Sequence, residues 1–187
     1  MGPGNNHLMS SNFRLDLPLP DEYLIELGRI TALWASLESM LNMCLGKLAG
    51  FDPLTDPTPF ILITHTSFPQ RLDMLGALCE QLGDTYPDLA EHKDVIGKLK
   101  SAQSTRNRYM HNGISYDPER RGHFLAQGSA RGKVKTSITP VTVEEIHQAA
   151  REVHLASLAL YKLVLKREIR FGKMVAPRTT GPLREPK

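Results

Sequence analysis

Leu27, Ile30, Trp34, Leu37, Leu41, Cys44 and Leu48 follow one another at alternating intervals of three and four residues. That spacing holds all seven on one side of an α-helix, as an apolar stripe about six turns long. Water cannot be left against such a stripe, and other helices crossing at a shallow angle are what cover it. The spacing therefore predicts a helix from Asp21, just after Pro18 and Pro20, to Gly50, set in a bundle.

The rest of the chain supplies partners for that stripe. The Gly-, Pro- and Asp-rich stretch Gly50 to Phe60 is predicted to be a loop, and the apolar run Phe60 to Ile63 either packs down or begins the next helix. A second helix opens at Thr66 or Ser67, tolerates Pro69 in its first turn, carries the seam Phe68, Leu72, Leu75, Cys79, Leu82, and stops at Gly83. A third runs from near Pro87 through Leu89, Val95, Ile96, Leu99 and Ala102 to Asn112-Gly113. The period then changes: "GHFLAQGS" and "KVKTSIT", separated by Ala130, Arg131 and Gly132, alternate as the two strands of a β-hairpin. Thr142 and Glu145 form a capping box that starts a fourth helix, with the seam Ile146, Ala149, Val153, Ser157, Leu160, Val164.

Four helices with a hairpin inserted before the last predict an all-α fold, an antiparallel four-helix bundle, over residues 20–171. An N-terminal arm, 1–19, and a basic, Pro-rich tail, 172–187, are expected to flank it as mobile segments. A chain of 187 residues is long enough to bury one core without disulfides or metals. Cys44 and Cys79 lie in apolar helical surroundings with no Cys-x-x-Cys pair, so two reduced, buried thiols are expected. The N-terminus lacks the apolar core of a signal peptide, and the longest mainly apolar stretch, Leu155 to Leu165, is too short and interrupted for a bilayer span. The expectation is a cytoplasmic protein without a membrane partner. A formal net charge of +3 permits a nucleic-acid ligand without arguing for one, since such binding depends on a clustered basic face.

Chemistry concentrates in "STRNRYMHNGIS", residues 104–115. With 13 arginines and 7 histidines, an Arg followed five residues later by a His arises by chance about 0.5 times in such a chain, so spacing alone decides nothing. Geometry adds more. Asn107 and His111 stand four apart on one helix face, and Arg106, about 100° around the axis, has the reach to join them. Arg106 also continues the apolar line of Leu99 and Ala102, where a charge must face either a buried acid or an open cleft. One reading pairs Arg106 with Glu38 on the first helix and leaves His111 to complement the helix dipole. The other leaves Arg106 facing an open cleft with Asn107 and His111 beside it.

"RNRYMH" resembles the Arg-(polar)-x-x-x-His motif of HEPN domains, the higher eukaryotes and prokaryotes nucleotide-binding superfamily, in which the residue after Arg is often Asn. "LGRITALWASLESMLNMCLGKLAG" is similar to that family's first long helix and "SFPQRLDMLGAL" to the segment after it, so the resemblance covers roughly residues 20 to 170. It implies a metal-independent endoribonuclease without cofactors, homodimeric with the motif at the seam, serving as a toxin, defence effector or stress-response enzyme, with an antitoxin or other regulatory partner conceivable. A bundle retained only for dimerisation or RNA binding is the alternative.

The residue types suit cleavage by 2′-OH attack on the adjacent phosphate. His111 can move a proton near neutral pH. Arg106 can hold phosphate oxygens and stabilise charge on the phosphorane, and Asn107 can orient the imidazole. Candidate RNA contacts are Arg108, Tyr109, Lys133 and Lys135, with Tyr109 either stacking a base or packing in the core. Further basic residues, Lys166, Arg167, Arg170, Lys173, Arg178 and Arg184, follow the last helix. His147, His154 and Tyr161 recur every seven residues, about 10 Å apart, too far for two histidines to share a metal, and read as a solvated or interfacial stripe. His65 and His92 read as loop or rim residues without companions.

Overall fold

The computed structural model describes residues 19–52, 55–129 and 135–166. The arm before residue 19, the expected strand residue Lys133, Arg131 and the basic residues from Arg167 onward lie outside the described residues.

The long apolar stripe forms helix α1, Asp21–Leu48, with Ile30, Leu37, Leu41 and Cys44 fully buried along it. Its end is fixed by a Schellman turn. Gly50, at φ 88°, lets its own N–H reach the carbonyl of Lys47 and that of Phe51 reach Gly46. A short helix, α2 (Thr58–Ile63), then lies back across α1 so closely that Pro59 Cγ would stand 3.0 Å from a Cβ placed on Gly46. Ser67 caps α3, Phe68–Leu82, in a reciprocal box with Gln70, and Pro69 occupies the first turn. A 3₁₀ turn, Pro87–Glu91, leads into α4, His92–Met110. After the sheet, Thr142 and Glu145 make the expected capping box of α5, Val143–Leu160, which loosens into a π-helical turn, Tyr161–Leu165. The predicted seam of α5 is buried throughout.

The sheet is larger than the expected hairpin. β1 (Gly113–Asp117) pairs antiparallel with β2 (Gly122–Ser129), which pairs antiparallel with β3 (Lys135–Pro140), in the order β1-β2-β3. The added strand exists because Asp117 Oδ1 accepts the N–H groups of Glu119 and Arg120 and so turns the chain at Pro118, with Arg121 at φ 50°. Consequently α4 does not run on to Asn112-Gly113. It ends at Met110, with His111 at its C-cap and Gly113 already the first residue of a strand.

Helix directions also differ from the alternating order expected of the bundle. Trp34 meets Phe68, and further along both helices Glu38 and Asn42 meet Arg71, so α1 and α3 run the same way. Glu26 meets His147 while Lys47 reaches the carbonyl of Leu165, so α5 also runs with α1. Only the contacts of α4 are reversed: Met110 touches Thr31 and Arg106 lies over Trp34, while Thr105 bonds Glu152 of α5. The physical reason is α2, which with the link to Ser67 carries the chain back along α1 before α3 begins. The fold is mainly helical with a small sheet, and its core divides in two. The larger part lies among α1, α3, α4 and α5, and the smaller one, built on Tyr23, Ile30, Tyr109, Leu125 and Ile146, joins the sheet to the helices.

Candidate functional site

The last turn of α4 brings Arg106, Asn107 and His111 together. Arg106 Nη1 donates to Asn107 Oδ1 at 3.0 Å and to His111 Nε2 at 2.9 Å. A guanidinium cannot accept, so Nε2 must do so, and the neutral imidazole carries its proton on Nδ1. The backbone prepares this contact. His111 stands at φ −113°, ψ 5°, just outside the helix, and its N–H still bonds the carbonyl of Asn107, which holds the ring beside the last turn. Next to it, Asn112 Nδ2 donates to the carbonyl of Arg108 at 2.7 Å and satisfies a carbonyl that the helix leaves open. His111 is exposed, and Arg106 and Asn107 are half-buried.

Glu38 is not the partner of Arg106. Its Oε1 accepts from Arg71 Nη2 at 2.9 Å, while Asn42 Oδ1 accepts from Arg71 Nη1 at 2.9 Å. Among the described residues no carboxylate lies within ion-pair distance of Arg106. Its charge rests instead on an aromatic face, with the guanidinium carbon 5.6 Å from the centre of the Trp34 ring, and its Nε is buried with no hydrogen-bond partner. The internal ion pair offered by the first reading of this cluster is therefore absent, because α3 brings Arg71 to Glu38 first.

The other candidates scatter. Tyr109 is 6 % exposed and packs with Ile146 and Ala149, and burial pushes its hydroxyl above the ordinary 10.0. It is a core residue, which is the packing alternative offered for it. Arg108 is exposed, its guanidinium over the Tyr109 ring at 5.5 Å, beside Glu145 and Glu152 rather than beside Arg106. Lys135 is exposed at the start of β3.

The histidines of α5 and the rim divide similarly. His147 is half-exposed with Nδ1 3.1 Å from Glu26 Oε2, an oxygen that also accepts from Arg29 at 3.0 Å. His92, expected at a rim without companions, is buried. Its Nδ1 meets the Leu89 carbonyl at 2.7 Å and its Nε2 stands 3.4 Å from Glu80. Among the described residues no three His, Cys, Asp or Glu side chains are grouped as a metal site, and no helix is long and apolar enough to cross a membrane.

Two residues near the motif carry no chemical signal in the sequence, Trp34 and Arg71. Trp34 reads there as one more member of an apolar stripe, which it also is, and only the crossing of α4 over α1 puts a cation on its face. No family model matches the chain, and neither a curated protein nor a solved structure does.

Proposed function

We propose that the protein is a metal-independent endoribonuclease of HEPN type, a helical bundle that acts as a homodimer in the cytoplasm and cuts RNA through a cleft lined by Arg106, Asn107 and His111 of both protomers. One observation carries the reading. An arginine on an otherwise apolar helix line has no carboxylate within ion-pair distance among the described residues and donates directly to the imidazole of a surface histidine. A cation kept free of carboxylates beside a group that exchanges protons suits an anionic substrate.

The chemistry follows from those groups. A phosphodiester entering the cleft takes the Arg106 N–H groups as hydrogen-bond donors, which releases the lone pair on His111 Nε2. That nitrogen removes the 2′-OH proton as the O2′–P bond forms, and the guanidinium stabilises the charge on the phosphorane. The P–O5′ bond then breaks, and the departing 5′ oxygen takes a proton from His111 of the partner subunit, which enters the turnover as the imidazolium while the first histidine enters it neutral. The products are a 2′,3′-cyclic phosphate and a 5′-hydroxyl. One histidine per chain makes the two-fold necessary, and an isologous interface supplies the second copy without further sequence. A toxin, defence or stress role, with a regulatory partner holding the enzyme in check, is the setting in which such an activity is useful.

The test is cleavage of labelled single-stranded RNA in EDTA by wild type, Arg106→Ala and His111→Ala, purified identically. Cleavage by wild type alone supports the reading. Equal cutting by all three assigns the activity to a contaminant and removes it, and cleavage by wild type as a verified monomer removes the two-fold part.

A further inference from the structure

We infer that Trp34 is the positioning residue of the Arg106 site, holding the guanidinium in the one place from which it reaches Asn107, His111 and an incoming phosphate. The inference rests on the ribonuclease reading for its kinetic arm and on the geometry alone for its spectroscopic arm.

An arginine side chain has many rotamers, and a carboxylate is the usual means of choosing one. Arg106 has no carboxylate among the described residues, and its Nε is buried without a hydrogen-bond acceptor. Besides the neutral acceptors Asn107 and His111, what contacts the charge is the Trp34 face at 5.6 Å, within the range over which an aromatic quadrupole attracts a cation. Trp34 cannot swing away, since it is 7 % exposed and its ring packs on Phe68 at a centroid distance of 4.6 Å and a tilt of 45°. Phe68 is fixed in turn as the first residue of α3, behind the Ser67 cap, and the Arg71 guanidinium lies 5.9 Å from the centre of its ring. Three helices therefore converge on a rigid aromatic pair with a cation beyond each end.

The two cations are held differently. Arg71 is also bound by Asn42 and by the carboxylate of Glu38, which take its Nη1 and Nη2, while its Nε, like that of Arg106, has no partner. Arg106 is held by an aromatic face and by two uncharged acceptors, Asn107 Oδ1 and His111 Nε2, both on Nη1, so its position is fixed without its charge being neutralised. A carboxylate in the same place would neutralise the guanidinium and compete with phosphate. An aromatic platform positions it and leaves it able to bind.

The experiment uses the full chain. Trp34 is the only tryptophan, so its emission reports on Arg106 directly. Arg106→Ala and Arg106→Lys should each change that emission in a folded protein, and an unchanged spectrum in both overturns the proposal. In a nuclear magnetic resonance spectrum of arginine Nε–H groups, the Arg106 signal, assigned by its loss in Arg106→Lys, should be shifted upfield by the indole ring. Trp34→Leu should abolish that shift. On RNA, Trp34→Leu should lower kcat about tenfold or more with KM changed less than about threefold, whereas Trp34→Phe, which keeps an aromatic face, should retain most of kcat. An unshifted wild-type Arg106 signal, or a folded Trp34→Leu protein with wild-type kcat, overturns the role of Trp34. A wild type that cuts no RNA removes the ribonuclease reading, and the emission and Nε–H measurements then decide the inference by themselves.

Discussion

Arg106 Nη1 donates to His111 Nε2 across 2.9 Å, so the imidazole lone pair is occupied by that donor. The proposed cleavage would begin with a substitution, in which phosphate oxygen replaces imidazole nitrogen as the acceptor. Adding inorganic phosphate or a non-cleavable dinucleotide should therefore move the His111 ring nitrogen resonances, and Arg106→Ala should abolish the response. A His111 signal indifferent to saturating anion would argue against the exchange.

Removing the members of this pair should affect rate more than fold. Arg106→Ala should reduce cleavage by about 10² to 10³, as expected for one donor to a transition-state anion. His111→Ala should cost about 10² to 10⁴, as expected for a proton-transfer group. Both side chains lie outside the fully buried core, so the thermal melts of the variants should stay close to wild type.

Breaking the Glu38 to Arg71 contact should act on stability. Arg71 is mostly buried, with 13 % of its side chain exposed, while Glu38 is about a third exposed, so solvent screens part of the interaction. Glu38→Gln should lower unfolding free energy by roughly 1 kcal/mol in a urea titration. A pairing of Glu38 with Arg106 instead would leave Arg71 unaffected, and an Arg71→Ala, Glu38→Gln double-mutant cycle distinguishes the two by its coupling energy.

Packing along α1 sets the largest losses. Leu41 is fully buried in the main cluster, and Leu41→Ala should cost about 2 to 5 kcal/mol, the range for a cavity that neighbouring helices only partly fill. Gly46→Ala should be destabilising although the site is helical, because the new methyl meets the ring of Pro59. Chemical denaturation compares the two directly.

Burial pushes the thiol of Cys44 from 9.0 to about 12 and that of Cys79 to about 11. Both remain protonated at neutral pH, and an aromatic disulfide reagent should label them only after unfolding. The unfolded chain loses these protons near pH 9 and the folded chain not until about 11, so the native state binds more protons between the two values. Stability should fall as pH rises through that window, and should not change on their account below it.

The amino-acid sequence by itself determined what neighbouring residues decide. The 3,4 stripe of α1, the seam of α5, the Ser67 and Thr142 caps and the gathering of Arg106, Asn107 and His111 follow from a helical period and from bonds spanning three to five residues. β1 was legible in principle, through Ile114 and Tyr116 alternating ahead of an Asp117-Pro118 turn, but five residues are a weak signal beside a strong helix. The tertiary structure decided every partnership across the chain: Glu38 with Arg71, Trp34 with Arg106, Glu80 with His92, Tyr109 against Ile146, and α4 as the helix reversed against the other three long ones. A helical pattern says which face is covered and not by what, since burial is set by apolar area, whereas the identity of a partner depends on how α2 and the loops turn the chain in space.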